Sequence, residues 1–157
     1  MEKRILIRSD MFFKELLYNY ALVCAFIAWF AAQFIKLVLC LMKEKKLDFT
    51  KMVSSGGMPS SHSAAVCSLS AAIYRIEGAR SALFAAAIVF SFIVMYDAAN
   101  VRRYSGEHAR LLNIIVTDLF AGKPLPGKEL KELIGHTPIE VIAGACLGVF
   151  VPLMIRI

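Results

Sequence analysis

Three long apolar stretches without a charged side chain constrain this chain more than any other feature. They cover residues 16–35, 81–96 and 141–155. The first has the roughly 20 residues that a helix needs to cross a bilayer, and the other two are shorter and need polar ends or tilt. Hydrophobic residues make up 59% of the 157 residues, whereas soluble domains have about 45–50%. We therefore predict an all-α, integral-membrane helical bundle.

The apolar pattern predicts about four such helices in a single domain over residues 1–157. They run from about Leu16 to Met42, from Pro59 to about Arg75, from about Ala79 to Val101, and from Pro138 onward. The second is short enough to be a buried central helix rather than a full span. A short interfacial helix is expected within residues 5–17, and an amphipathic helix near Leu111–Leu119 is expected to connect to the last span. A further short helix is predicted over 128–134.

The net charge of +6 comes from basic residues that flank the apolar segments. Such residues favour contact with anionic lipid headgroups, so membrane lipids are the expected partners. Nucleic acid is not expected, because the basic residues are not interleaved with exposed aromatic side chains.

Alternating spans bring the candidate functional groups to one membrane face. The end of the first helix, the start of the second, the end of the third and the start of the fourth share a side. Those places hold Lys36, His62, Arg102 with Arg103, and His136 with Glu140. Ionisable groups at membrane helices are costly, and their convergence indicates a functional site.

The second helix begins in the segment GGMPSSHS at residues 56–63. Ser60 and Ser61 are good N-cap residues, so this segment has a purely structural interpretation. Two preceding glycines, however, let a ligand approach the backbone, and free N–H groups at a helix start bind phosphate. His62 in the first turn would face such an anion.

The last helix begins with HTPIE at residues 136–140. Thr137 and Glu140 have the spacing of a capping box, with proline at the first helical position. Because His136 comes directly before the cap, Glu140 is also a candidate to fix its tautomer and support its protonated form. The two roles are compatible.

Each basic residue near the candidate site has two interpretations. Arg102 and Arg103 are either boundary anchors or phosphate ligands, and Lys36 either extends to the interface or binds phosphate. Asp97 lies in the third apolar helix and requires a cationic partner, which Arg102 or Lys36 can supply. His108 is expected at the surface.

Two motifs carry a family resemblance. PSSH at residues 59–62 resembles the Pro-Ser-Gly-His motif of the type 2 phosphatidic acid phosphatase superfamily, and HTPIEVIAG at 136–144 is similar to its last motif. From about Gln33 to Gly148 the chain resembles a divergent branch, the acid phosphatase/vanadium-dependent haloperoxidase-related membrane proteins. The chain departs from the superfamily pattern in having Ser61 for glycine, a glutamate for the relay aspartate, no Arg-Pro pair after Lys36, and a long insertion before His136.

The resemblance implies hydrolysis of a lipid phosphate or pyrophosphate monoester without metal or other cofactor. His136 would attack phosphorus and form a phosphohistidine, Glu140 would take the place of the relay acid, and His62 would protonate the leaving oxygen. The expected phosphate ligands are Lys36, Ser60, Ser61, Arg102 and Arg103.

Two alternatives remain beside hydrolysis. A phosphotransferase would use the same histidine, and a non-catalytic membrane scaffold or anion-binding subunit would keep only the framework. The spacing of histidines and cysteines matches no metal site. The expected location is the bacterial cytoplasmic membrane or an organellar membrane of bacterial descent, and the short helices leave room for a homo-oligomer.

Overall fold

The computed structural model describes residues 14–45, 57–119 and 135–156, and these form helices joined by short connections. We label the helices α1 (Tyr20–Glu44), α2 (Ser61–Glu77), α3 (Ala82–Tyr96), α4 (Arg102–Leu119) and α5 (Pro138–Met154). A short helical segment over 14–18 precedes α1. The all-α prediction is confirmed. The helix predicted over 128–134 and most of the N-terminal helix fall outside the described residues.

The first apolar helix starts four residues later than predicted. Asn19 interrupts the helical segment over 14–18 and serves as the N-cap of α1, where its side chain accepts a hydrogen bond from the Leu22 N–H at 3.1 Å. An asparagine in this position satisfies one of the N–H groups that a helix start leaves without a partner. The pattern of apolar residues did not show this break, because apolar residues continue on both sides of it.

Helix α2 is the centre of the bundle and packs against α1, α3 and α5. Eight of its residues are buried, mostly serine and alanine. Small side chains allow the helices to approach closely. Against α5 the approach reaches the backbone, because a Cβ added at Gly144 would lie 2.3 Å from the Ser60 carbonyl oxygen, and one at Gly148 would lie 2.4 Å from that of Ala64. The contact therefore has the small-xxx-small spacing of closely packed membrane helices.

Helices α3 and α4 form one continuous helical run through a π-helical turn at Asp97–Val101. The predicted amphipathic helix thus begins at Arg102, well before the apolar repeat that starts at Leu111. A run of 36 residues from Ala82 to Thr117 is helical, which at 1.5 Å per residue is about 54 Å, longer than a hydrocarbon core of about 30 Å. Single π turns of this kind often occur at functional sites.

Arg75 joins three helices at the end of the bundle remote from the histidines. Its guanidinium donates to the Pro152 and Ile155 carbonyls at the end of α5, the latter at 2.7 Å, and to the Tyr20 hydroxyl. Tyr20 itself donates to the Pro152 carbonyl at 2.7 Å. A cation at a helix C-terminus satisfies carbonyls that have no intrahelical partner and interacts favourably with the helix dipole.

The outer surface of the bundle is apolar. Two helical runs, Tyr20–Met42 and Ala82–Thr117, are long enough to cross a membrane and contain an 18-residue window that is apolar enough, with mean hydropathies of 2.1 and 2.0 in those windows, while α5 is apolar but shorter. Large side chains such as Phe26, Phe30, Phe90 and Ile93 are exposed on these helices. Water would penalise this surface, whereas lipid chains accept it. The architecture is that of a membrane helical bundle.

Candidate active site

His136 is held at the start of α5 by a carboxylate that also caps the helix. The Oε2 atom of Glu140 lies 3.1 Å from His136 Nδ1 and accepts the Thr137 backbone N–H at 3.0 Å. The Thr137 hydroxyl in turn accepts the Glu140 N–H at 3.4 Å, which completes the capping box. A single carboxylate oxygen thus has both of the roles expected from the sequence.

The tautomer of His136 follows from this contact. A carboxylate only accepts hydrogen bonds, so in the neutral ring the hydrogen is on Nδ1 and the lone pair is on Nε2. Nε2 is buried and has no hydrogen-bond partner among the described residues, and His136 as a whole is 1% exposed. Burial lowers the pKa of His136 below its usual value, while the hydrogen bond and the charge of Glu140 act in the opposite direction.

The π turn positions the backbone of His136. Its N–H donates to the Ala98 carbonyl inside that turn at 3.1 Å. The preceding residue, Gly135, packs so closely that an added Cβ would lie 2.4 Å from the backbone Cα and N of Arg103. Only glycine fits at this contact, so the end of the third apolar helix and the start of α5 are joined directly at the histidine.

His62 lies beside His136. The two rings are 6.2 Å apart between centroids, with an edge-to-face angle of 64°. His62 Nε2 is 3.4 Å from Arg102 Nη1, and because a guanidinium only donates, the neutral ring carries its hydrogen on Nδ1. That Nδ1 atom is buried and has no hydrogen-bond partner among the described residues. The site therefore contains two neighbouring imidazoles, each with an unused nitrogen.

Arg102 is fixed by Asp97. Its Nε atom donates to Asp97 Oδ2 at 2.9 Å, as expected for the carboxylate in the third helix, and Nη1 remains directed at His62. Arg103 has a different environment: its Nε atom is 3.3 Å from Glu107 Oε1, and its side chain is 53% exposed. The structure thus brings Arg102 to the histidines and leaves Arg103 at the surface, since consecutive helical residues point in directions about 100° apart.

The start of α2 is attached to the start of α5 by a backbone hydrogen bond. The Ser60 N–H donates to the Glu140 carbonyl at 3.0 Å. The Ser60 hydroxyl is fully buried and accepts from the Ser63 N–H at 3.4 Å and the Ser63 hydroxyl at 3.0 Å. Ser60 therefore acts as the N-cap of α2, and Ser61 is likewise buried. Both serines shape the backbone of the site, and the two converging helix N-termini contribute positive potential.

Lys36 is buried near the end of α1 and is 5% exposed. Its methylene groups lie against Gly57, where an added Cβ would be 3.3 Å from Lys36 Cγ and where φ is +93°. Its charge interacts with Glu140 and with both histidines. A buried ammonium whose charge acts on both imidazoles favours the binding of an anion between them.

Together these side chains place two cations, Lys36 and Arg102, and two carboxylates, Asp97 and Glu140, around the histidines, and each carboxylate is hydrogen-bonded to a neighbour. Within the described ranges, no group of three His, Cys, Asp or Glu side chains is arranged to hold a metal ion. The sequence pattern did not reveal the Ala98 carbonyl, the Gly135 contact or the π turn. The small-residue spacing of Gly144 and Gly148 was a visible signal for the α2–α5 contact.

Comparison with known proteins shows the family of this chain. The family described as the Divergent PAP2 family matches residues 17–151. The Uncharacterized membrane protein YuiD of Bacillus subtilis (strain 168) is 41% identical, over 90% of this chain and 96% of the relative. No solved structure matches. The family matches most of the chain, and a membrane-protein relative covers nearly all of it. This chain is therefore a membrane protein of the Divergent PAP2 family.

Proposed function

We propose that this protein hydrolyses a lipid phosphate or pyrophosphate monoester through a phosphohistidine on His136. One observation carries the proposal: His136 is buried, its Nδ1 is held by Glu140, and its Nε2 has no hydrogen-bond partner among the described residues. A nucleophile needs a free lone pair in a fixed direction and a neighbouring group that stabilises the charge it acquires. Nε2 and Glu140 meet those requirements.

The cations supply binding for the phosphate. A phosphoryl group in transfer requires fixed positive charge around its equatorial oxygens. Arg102 approaches from the side of His62, Lys36 from α1, and the N-termini of α2 and α5 add their dipoles. The guanidinium is already oriented by Asp97, so little reorganisation is required when the phosphate binds.

The reaction proceeds in two displacements. His136 Nε2 bonds to phosphorus as the bond from phosphorus to the lipid oxygen breaks, and protonated His62 gives a proton to that leaving oxygen. Water then attacks the phosphohistidine, His62 takes a proton from that water, and inorganic phosphate leaves with His136 restored. Glu140 stabilises the positive charge on the ring in the intermediate.

The proposed setting is the bacterial cytoplasmic membrane. The similar protein is a membrane protein of Bacillus subtilis (strain 168), and the histidines of this chain lie at the ends of apolar helices. A phosphate attached to a lipid would be presented at this depth, while its hydrocarbon chain remains among the helices.

The test is phosphate release by the detergent-purified protein with a panel of lipid phosphates and pyrophosphates in the presence of EDTA. His136→Ala is compared with His108→Ala, which removes an exposed histidine. We expect turnover in EDTA, loss of that turnover by at least about 10³-fold in His136→Ala, and wild-type rates in His108→Ala. Acid-labile phosphate trapped on His136 would identify the intermediate.

Two results would contradict the proposal. Wild-type turnover in His136→Ala would exclude the nucleophile, and no turnover with any lipid, in protein shown to be folded, would favour an anion-binding or scaffold role. Adding an alcohol acceptor separates hydrolysis from phosphotransfer, because water and an alcohol attack the same intermediate.

A further inference from the structure

An apolar groove lies between the central helix α2 and helix α3. Its volume is about 370 Å³. One wall is a stripe of α2 from Cys67 to Tyr74, the other is a stripe of α3 from Phe84 to Met95, and Val149 of α5 contributes to the third side. On each helix the lining residues recur at three- and four-residue spacing, so each wall is a single helix face.

The groove is apolar even though two serines line it. Ser70 and Ser91 are hydrogen-bonded to each other through their hydroxyls at 2.9 Å, and the Ser91 hydroxyl also donates to the Val66 carbonyl at 3.0 Å. Both serines are buried. Their hydrogen-bonding groups are used within the wall, so the surface offers nothing to a polar ligand and is suited to a hydrocarbon.

One end of the groove points toward the histidines. Cys67 and Met95 are in contact there, with 3.7 Å between their sulfur atoms, and Cys67 lies five residues beyond His62 on the same helix. Met95 comes two residues before Asp97, the partner of Arg102. A helical rise of 1.5 Å per residue places this end about 8 Å along α2 from His62.

Two aromatic rings line the other end. Tyr74 and Phe84 pack with their ring centroids 5.3 Å apart. From Phe84 to Met95 the α3 wall is about 16 Å long. An extended alkyl chain advances roughly 1.3 Å per methylene, from a C–C bond of about 1.5 Å. A chain that runs from Phe84 along this wall and across the remaining distance of about 8 Å to His62 covers about 24 Å, which corresponds to about eighteen carbons.

We propose that the groove holds the hydrocarbon chain of the substrate whose phosphate is processed at His136, and that the Tyr74–Phe84 pair sets the chain length. This inference rests on the function proposed above. The occupant is chosen on continuity, because the groove ends about 8 Å along α2 from His62 and two residues before Asp97 on α3, so the headgroup of a chain in the groove would extend from there to the histidines. Neither bulk lipid nor a second copy of this chain would place a phosphate at that end.

Binding is tested first, without turnover. The probe is an octadecyl phosphonate with a photoreactive diazirine at the chain end, which the enzyme cannot hydrolyse. We expect labelling of Tyr74, Phe84 and their neighbours, and loss of labelling when excess unlabelled octadecyl phosphonate is added. Labelling spread over the lipid-facing side of α1, or unaffected by the competitor, would overturn the inference in favour of bulk lipid. Links between two chains would overturn it in favour of a dimer contact.

Two tryptophan substitutions provide the matched comparison. Ala71→Trp fills the middle of the groove, whereas Ala85→Trp adds the same bulk to α3 on an exposed position outside it. We expect Ala71→Trp to abolish the labelling and to raise KM for an octadecyl phosphate by about tenfold or more, since two or three methylenes lose their contacts. A short soluble phosphomonoester should be hydrolysed at the wild-type rate. Ala85→Trp should leave all three measurements unchanged.

Removing one ring tests the role of the aromatic pair. Phe84→Ala should shift the preferred substrate toward chains longer than about eighteen carbons, while the rate with the short phosphomonoester stays constant. An unchanged chain-length preference would contradict the assignment of Tyr74 and Phe84. Labelling at the groove without hydrolysis of any substrate would disprove the proposed reaction but support the groove as a binding site for a hydrocarbon chain. Hydrolysis without labelling would support the reaction and disprove the binding site in the groove.

Discussion

The contact between α2 and α5 at Gly144 makes a quantitative prediction about the site. A Cβ added by Gly144→Ala would lie 2.3 Å from the Ser60 carbonyl oxygen, whereas ordinary contacts begin at 3.4 Å. The obstructing atom belongs to the backbone and cannot rotate away, so the two helices must separate locally by about 1 Å. Overpacking of this kind costs about 1–3 kcal/mol.

The separation acts directly on the hydrogen bond that joins the two motifs. Ser60 N lies 3.0 Å from the Glu140 carbonyl oxygen, and an increase of about 1 Å removes the bond, at a cost of about 1 kcal/mol. The total loss is about 2–4 kcal/mol of stability. His62 and His136 lie at the starts of these two helices, so the distance between their rings changes as well. A misplacement of about 1 Å costs about 10²-fold in turnover.

Gly148→Ala is the matched control. Its added Cβ would lie 2.4 Å from the Ala64 carbonyl oxygen, a similar clash one helical turn farther from the histidines. We expect a comparable fall in the melting temperature of the detergent-solubilised protein, with a loss of phosphate release at least about tenfold smaller than in Gly144→Ala. Ile142→Phe adds bulk to an exposed position of the same helix and should change neither measurement by much.

Two outcomes would refute this reasoning. If Gly144→Ala melts at the wild-type temperature, the helices do not meet as closely as the structure indicates. If both glycine variants lose activity equally, the effect comes from stability and not from the geometry of the histidines.

Two further predictions concern the charged groups. Because Glu140 raises the pKa of His136, Glu140→Gln should lower that pKa further. The acidic limb of the kcat/KM profile should therefore move to lower pH, while the maximum falls by about 10²–10⁴-fold. An acidic limb that stays in place or moves to higher pH would contradict the role assigned to Glu140. Arg102→Ala should reduce kcat/KM by about 10²-fold, and Arg103→Ala, which breaks an exposed ion pair with Glu107, by less than about twofold. Equal losses in the two arginine variants would show that the phosphate does not bind beside His62.

Much of the fold and part of the site were accessible from the amino-acid pattern. Apolar composition acts locally, because a stretch of about 20 uncharged residues has few stable conformations in lipid other than a helix. Caps are also local, so the roles of Thr137 and Glu140 at the start of α5 were predictable from three-residue spacing and are present in the structure. Alternation of spans was enough to bring His62 and His136 to one end of the bundle.

Which of two neighbouring side chains faces the site depends on the phase of the helix, and no local sequence pattern encodes that phase. The π turn at Asp97–Val101 changes the phase of every residue after it, and this directs Arg102 to His62 and Arg103 to Glu107. The same turn supplies the Ala98 carbonyl to His136. The sequence alone therefore determined that the chain forms membrane helices with histidines at their ends. Long-range packing decided the rest: the histidine nitrogen that is held, the arginine that lies near the histidines, and the distance between α2 and α5. These features depend on backbone contacts between residues far apart in the chain.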